Sequence, residues 1–275
     1  MRTGGPDEPL PANLPVRMSE AIFRAEGDHF LPTEHARGPW DPAALHGGAP
    51  AALMVGALED LEGGGGLAPA RITFEFLRPV PLGALSLLTR VIRGGRRVQR
   101  LEAELSCGDQ LITTASARRV APVPADAPVA TERALAAPEH GSPAVFSLSG
   151  SSQASFAATA MEMRWLVGEG ELGPSTVWMR LRFPVVEGRA TSPLMSLAAV
   201  ADFGNGVGAT LPFAEWVFIN ADLSIHLHRR PEGEWIGLES RTFASAGGYG
   251  LAESVLHDRR GPVGRASQSL VVQRR

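Results

Sequence analysis

The sequence predicts an α+β protein made of two repeated units, each an antiparallel sheet curved around one buried helix. Three observations carry that prediction. The stretch Trp40–Leu61 reads as a helix with almost no polar face. Four strand-like runs follow it, and the same order of helix and strands recurs in the second half at a nearly constant spacing. A helix that is apolar all round has to be wrapped on every side.

In WDPAALHGGAPAALMVGALEDL, Asp41 suits the N-cap and Pro42 the first helical position, where no amide hydrogen is required. From Ala43 to Leu58 only His46 and Pro50 depart from small or apolar residues. The segment is too short and too rich in Ala and Gly for a membrane span, which takes about 20 strongly apolar residues. Ahead of it, Ala21–Phe30 predicts a first strand with a turn at Glu26–Asp28, and the glycines of Gly63–Gly66 end the helix. ITFEFLRPVP then alternates Ile72, Phe74 and Phe76 on one side, and LSLLTRVIRGG, VQRLEAEL and QLITTASARRV each read as strands.

The chain has 275 residues, 44% hydrophobic and 20% charged, which suits a large core and is too apolar for general disorder. The net charge of −3 argues against a general nucleic-acid binder. Cys107 is the only cysteine, so the chain can form no intramolecular disulfide and no cysteine metal cluster. The opening MRTGGPDEPLPANLP is polar and lacks the apolar segment of a secretory signal, so a cytoplasmic protein is expected.

Residues 121–150, dense in Pro and Ala, read as a connection between one unit over 1–120 and a second over 151–275. In the second unit Ala160–Leu166 and Ser175–Pro184 predict the first strands, and Ser192–Phe203 predicts the helix. DLSIHLHRRP places Leu223, Ile225 and Leu227 where ITFEFLRP places Ile72, Phe74 and Phe76, an offset of 151 positions. Gly261 and Gln268 stand to Gly108 and Ala115 at an offset of 153.

HGGAPAAL after GPW, the strand DLSIHLHR at Asp222–Arg229, ASAGGYGLAESVLHDRRG and GPVGRASQSLVV together resemble the acyl-CoA thioesterase II-like members of the thioesterase superfamily, over roughly residues 20 to 274. The resemblance implies a double hotdog fold, in which the two sheets join into one continuous layer. It also implies a thioester hydrolase that needs no cofactor and binds its acyl thioester, on coenzyme A or an acyl carrier protein, between the halves. A homodimer or higher assembly is expected, because exposed sheet edges and outer faces invite pairing.

Hydrolysis of a thioester needs a base to orient water and donors to hold the oxyanion. The sequence has no G-x-S-x-G elbow, and Cys107 sits in a turn-like SCGDQ, so the weight falls on a carboxylate. Asp222 opens a strand that is otherwise apolar on alternate positions; it reads either as a cap or, by the resemblance, as the water-activating acid. Gln268 shares a strand face with Ala266 and Leu270, and by the resemblance it is the catalytic glutamine of the last strand, once one residue is gapped upstream. The third member implied by the resemblance is a hydroxyl, but Phe243 occupies that place. Thr242 is adjacent and Ser245 lies two positions on, and either reaches the site only if the strand bulges. The first-half counterparts are Arg71 and Ala115, so one active site per chain is expected.

His46, Gly47 and Gly48 form the other candidate group. His46 reads as a structural histidine, or the glycines let a substrate approach with backbone amides aimed at the thioester oxygen. Asp202 ends the second helix and reads as a helix-end or contact residue, although several hotdog enzymes carry their acid on the central helix. The pairs Arg96–Arg97 and Arg259–Arg260 read as solvated turn charges or as contacts for the phosphates of coenzyme A. His226 and His228 have no third ligand in the pattern, and no metal is expected. Two other activities compete: a hotdog hydratase or dehydratase, whose D-x-N-P-x-H string is missing here, and a non-catalytic acyl-thioester or lipid-binding protein.

Overall fold

Gly27, at φ 57°, turns the first hairpin, in which β1 (Phe23–Glu26) pairs antiparallel with β2 (His29–Pro32). The computed structural model describes residues 21–41, 43–122, 133–144 and 154–275. Helix α1 spans Gly48–Asp60, so it begins well after the predicted start at Trp40. The backbone ahead of it is committed elsewhere: Leu45 N–H donates to Val80 at 2.8 Å, His46 N–H to Ala36 at 2.9 Å and Gly38 N–H to Ala44 at 2.8 Å. Asp41 caps a turn there, accepting from the Ala43 amide at 2.8 Å.

After α1 come β3 (Ala68–Phe76), β4 (Leu85–Arg93), β5 (Val98–Cys107) and β6 (Gln110–Val120). Much of 121–150 lies outside the described residues. The described part is not a free connection, because β7 (Ser142–Ala144) pairs with β8 (Met161–Val167) and Trp178 Nε1 donates to the Ala136 carbonyl at 2.7 Å. The chain continues through β9 (Ser175–Leu181), α2 (Pro193–Ala201) and the single turn α3 (Gly204–Val207). It ends with β10 (Trp216–Asn220), β11 (Asp222–Leu227), β12 (Ile236–Ala244), β13 (Tyr249–Asp258) and β14 (Gly261–Arg274). Ser192 caps α2 by accepting from Met195 N–H, as a serine before proline suits.

Among the described residues all strands belong to one 14-stranded sheet in the order β1-β2-β4-β5-β6-β3-β11-β14-β13-β12-β9-β8-β7, with β10 alongside β14. The halves meet where β3 and β11 pair antiparallel, with Ile72 opposite Ile225 and Phe74 opposite Leu223. Thr73 and Ser224, whose hydroxyls meet at 3.2 Å, are 151 positions apart and face each other, so a local twofold axis passes between them. The offset of 151 also holds for the last strands: the irregularity between Leu105 and Ser106 recurs between Leu256 and His257. Gln268 therefore corresponds to Ala117, not Ala115, and the two halves align over these strands without a gap.

The two helices run antiparallel inside the sheet and touch through small residues. A Cβ on Gly48 would run into the Ala199 carbonyl oxygen, and one on Gly56 would lie 2.9 Å from the Met195 methyl. This close crossing is why both helices are apolar all round: each is covered by the sheet on one side and by its partner on the other.

Candidate active site

The N-terminal end of α1 and the C-terminal end of α2 meet, and Asp202, the residue that follows α2, stands between them at 4% exposure. Its carboxylate is held from both halves of the chain. His46 Nδ1 lies 2.9 Å from Oδ2, and Asn220 Nδ2 donates to Oδ1 at 2.8 Å. The His46 proton belongs on Nδ1, since two acceptors would otherwise face each other at that distance. That nitrogen then cannot accept from the Gly48 amide, which lies 3.1 Å away. The imidazole stacks on Phe203 at 4.3 Å and lies 5.1 Å from Phe156, so its plane is fixed.

Gly47 is glycine because a Cβ there would lie 2.8 and 3.0 Å from the two oxygens of Asp202. Among the described residues its N–H donates to nothing. Gln268 lies beneath the same junction at 2% exposure. Its Oε1 accepts from Asn205 N–H at 3.0 Å and its Nε2 donates to the Asp202 carbonyl at 3.2 Å, so it ties the last strand to the backbone that carries the acid.

A cavity of about 330 Å³ opens over this group. His46, Gly47, Asp202, Asn205 and Asn220, together with Asp41 and Arg78, supply its polar lining, and Trp40, Leu45, Phe76, Val80 and Ile219 much of its apolar lining. It lies at the seam between the halves, where β10 turns away from the end of β3.

Asp222 is not part of this group. Leu223 and Ile225 face the helices, so alternation turns Asp222 to the outer side, where Oδ1 accepts from Ser269 N–H at 2.6 Å. It satisfies an amide at the point where β14 changes partner from β10 to β11. The irregular step between Asn220 and Asp222 brings Asn220 inward instead. Thr242 faces the core but pairs with Ala252, which separates it from Gln268, and its hydroxyl has no partner among the described residues. The pairing of β12 with β13 runs without a bulge, and Ser245 lies in the exposed turn, accepting from Gly247 N–H at 3.1 Å. Phe243 is 50% exposed on the outer face beneath the Arg241 guanidinium.

The remaining candidates lie elsewhere. Arg259 and Arg260 pair with Glu139 and Glu232, Arg96 and Arg97 are exposed in the turn before β5, and His226 and His228 are exposed. Of the grouped residues, His46, Gly47 and Gln268 converge on Asp202. Asn220 and Asn205 had no signal in the sequence, since only the irregular step after β10 brings Asn220 to the inside.

The twofold axis relates this cavity to another, of about 350 Å³, at the opposite end of the helix pair. With Pro50 set against Pro193, Glu59 falls at the place of Asp202 and accepts from Ser192 Oγ at 2.5 Å. The residue is exposed overall, yet loss of water around its carboxyl raises its pKa, and the Ser192 hydroxyl opposes that shift. Pro69 and Ala117 stand where Asn220 and Gln268 stand, and Arg119 donates instead to the last carbonyls of α1. The second cavity has an acid without its two amide companions.

The sequence matches the family descriptions of the acyl-CoA thioesterase N-terminal domain over residues 36–120 and the acyl-CoA thioesterase C-terminal domain over residues 125–272. No curated protein matches it. Among solved structures, a conserved protein of unknown function with a hot dog fold from Alicyclobacillus acidocaldarius superposes with a TM-score of 0.71 at 16% identity, covering 93% of this chain and 97% of that one. An acyl-CoA thioesterase II, TesB2, from Mycobacterium marinum gives 0.64 at 15% identity, covering 93% and 96%. A tesB protein of Mycobacterium avium subs paratuberculosis gives 0.62 at 17% identity, covering 91% and 96%. At such identities these likenesses speak to the fold, which is the double hotdog.

Proposed function

The chain belongs to the acyl-CoA thioesterase family of thioester hydrolases, and from that premise we propose that it hydrolyses an acyl thioester with Asp202 as the base that orients and deprotonates water. The observation that carries this is the pinning of Asp202 by His46 from one half and Asn220 from the other, at the edge of a cavity between them. Each carboxylate oxygen has one donor in place and keeps acceptor capacity for a water on the cavity side. Asp222, the acid suggested by the sequence, is given no part in the chemistry.

In this mechanism the thioester carbonyl lies over Gly47, whose N–H is the donor for the oxyanion. The positive end of the α1 dipole adds to it. Water attacks the carbonyl carbon and passes its proton to Asp202. Collapse of the tetrahedral intermediate breaks the C–S bond, and the proton passes from Asp202 to the departing thiolate. Asn220 and His46 hold the carboxylate in the plane that this transfer needs. Gln268 is a positioning residue, because it touches the backbone of residues 202 and 205 and not the cavity.

Coenzyme A and an acyl carrier protein both present such a thioester. Self-association is part of the same proposal. Exposed sheet edges and outer faces invite pairing, and a second copy would cover them. Light scattering that finds only the 29.1 kDa species at micromolar concentration would contradict this part.

A single turnover with an acyl-CoA in ¹⁸O-enriched water tests the mechanism. The label is expected in the free acid, with none retained in the protein. Label found in the Asp202 side chain would make that residue a covalent nucleophile.

A further inference from the structure

We propose that Trp40 limits the length of the acyl group this protein accepts. The proposal rests on the hydrolase reading given above. The floor of the cavity is closed: the His46 ring is clamped by Phe203 and Phe156, Gly47 lies against Asp202, and Leu45 and Val80 are buried. Between the helices the backbones are already close, since Gly48 meets the Ala199 carbonyl.

Trp40, the largest side chain lining the cavity, closes one side of it. Its indole lies 5.8 Å from the Phe213 ring and edge-on to Phe218 at 5.3 Å, and the Arg275 guanidinium covers it at 5.7 Å. Behind it is a small apolar cluster, separate from the main core, formed by Ala209, Phe218, Ala252, Leu270 and Val272. Trp40 therefore stands between the substrate cavity and a packed apolar cluster, so the room a longer chain could gain on that side is the volume of the indole itself. Three ring contacts hold it there, so it acts as a wall and not as a swinging gate.

The cavity of about 330 Å³ is at the small end of ligand pockets, which run from about 300 to 1,000 Å³, and it has to hold the thioester group and the first atoms of its thiol arm as well as the acyl chain. A longer chain has to leave by the mouth. There Leu77 and Val271 are 52% and 56% exposed, so added carbons stay largely in water and gain little.

The test is kcat/KM for thiol release across butyryl-, hexanoyl-, octanoyl-, decanoyl- and palmitoyl-CoA, with the N-acetylcysteamine thioesters in parallel. Each methylene buried should raise kcat/KM about fourfold until the chain meets the indole, and the profile should flatten or fall before decanoyl. In Trp40→Ala the ratio of decanoyl to hexanoyl kcat/KM should rise at least about tenfold, with the optimum about four carbons longer, since the surroundings refill only part of the space. Trp40→Phe, which keeps an aromatic contact with Phe213 and Phe218, should fall between. A wild-type profile that keeps climbing through decanoyl, or ratios unchanged in both variants, overturns the limit at Trp40 and leaves the hydrolase reading intact. A loss confined to the CoA series shows that Trp40 holds the carrier, and this too overturns the proposal. If no thioester in either series releases thiol, the hydrolase reading and the limit fall together.

Discussion

Replacing Gly47 by alanine perturbs the proposed base without removing any of its partners. The new methyl would lie 2.8 and 3.0 Å from the Asp202 oxygens, whereas ordinary contact begins at 3.4 Å. The carboxylate has to retreat by about 0.5 Å, which stretches the 2.9 Å His46 contact beyond good hydrogen-bond range. Misplacement of about 1 Å in an active site can cost about 10²-fold, so kcat/KM should fall roughly tenfold to a hundredfold. Overpacking of this size should lower stability by about 1 kcal/mol. Gly48→Ala makes the contrast, since its methyl meets backbone of a buried helix crossing, which cannot give. It should cost about 3 kcal/mol of stability. Both variants are read by thiol release from an acyl-CoA and by thermal unfolding. Wild-type kcat/KM in a folded Gly47→Ala protein would show that the chemistry does not depend on where the Asp202 carboxylate sits.

Gln268→Ala leaves the Asp202 carbonyl and the Asn205 amide without their partner, so both turnover and stability should fall, the latter by about 1–3 kcal/mol by chemical denaturation. Thr242→Val removes a buried hydroxyl that has no partner among the described residues, so stability should hold or rise while turnover is unchanged. Asp258→Asn should cost about 3 kcal/mol near pH 7, because Asp258 holds Arg229 by two bonds of 2.5 and 2.6 Å. Burial alone would raise the pKa of Asp258, but the hydrogen bonds from Arg229, Arg260 N–H and Glu232 N–H outweigh it and lower it. Its contribution is therefore fully present above the unfolded value of about 3.9 and is lost as pH falls through the folded one. The Tm gap between wild type and Asp258→Asn should shrink below about pH 4, and a gap that widened there would reverse the sign.

The architecture was legible because periodicity reports burial. The alternation of Ile72, Phe74 and Phe76 and its echo at Leu223, Ile225 and Leu227 became the two strands that join the halves. The all-apolar composition of α1 and α2 followed from their mutual packing. The start of α1 was misplaced because Asp41 and Pro42 form a good helix opening locally, whereas the fold uses the backbone of residues 44–46 to bind the loop segments at Ala36–Gly38 and Val80. Gln268 and the HGG group were visible as polar or flexible residues in apolar surroundings. Asp222 shows the opposite case. The alternation that places Leu223 inward already sends its neighbour outward, and the resemblance drew attention to it against that pattern. Asn220 depends on one irregular step between two strands, a feature that no propensity encodes.

The most direct measurement is kcat/KM of Asp202→Asn and Asp222→Asn, side by side, on one acyl-CoA, with both proteins shown to be folded. Asp202→Asn keeps the size of the side chain and loses the base, so activity should fall by about 10²–10⁴. Asp222→Asn keeps an acceptor for Ser269 N–H and should stay within about twofold of wild type, the range of an ordinary surface substitution. Wild-type activity in Asp202→Asn, with a loss of two or more orders in Asp222→Asn, would contradict the assignment of the base and move the chemistry to the outer side of the sheet.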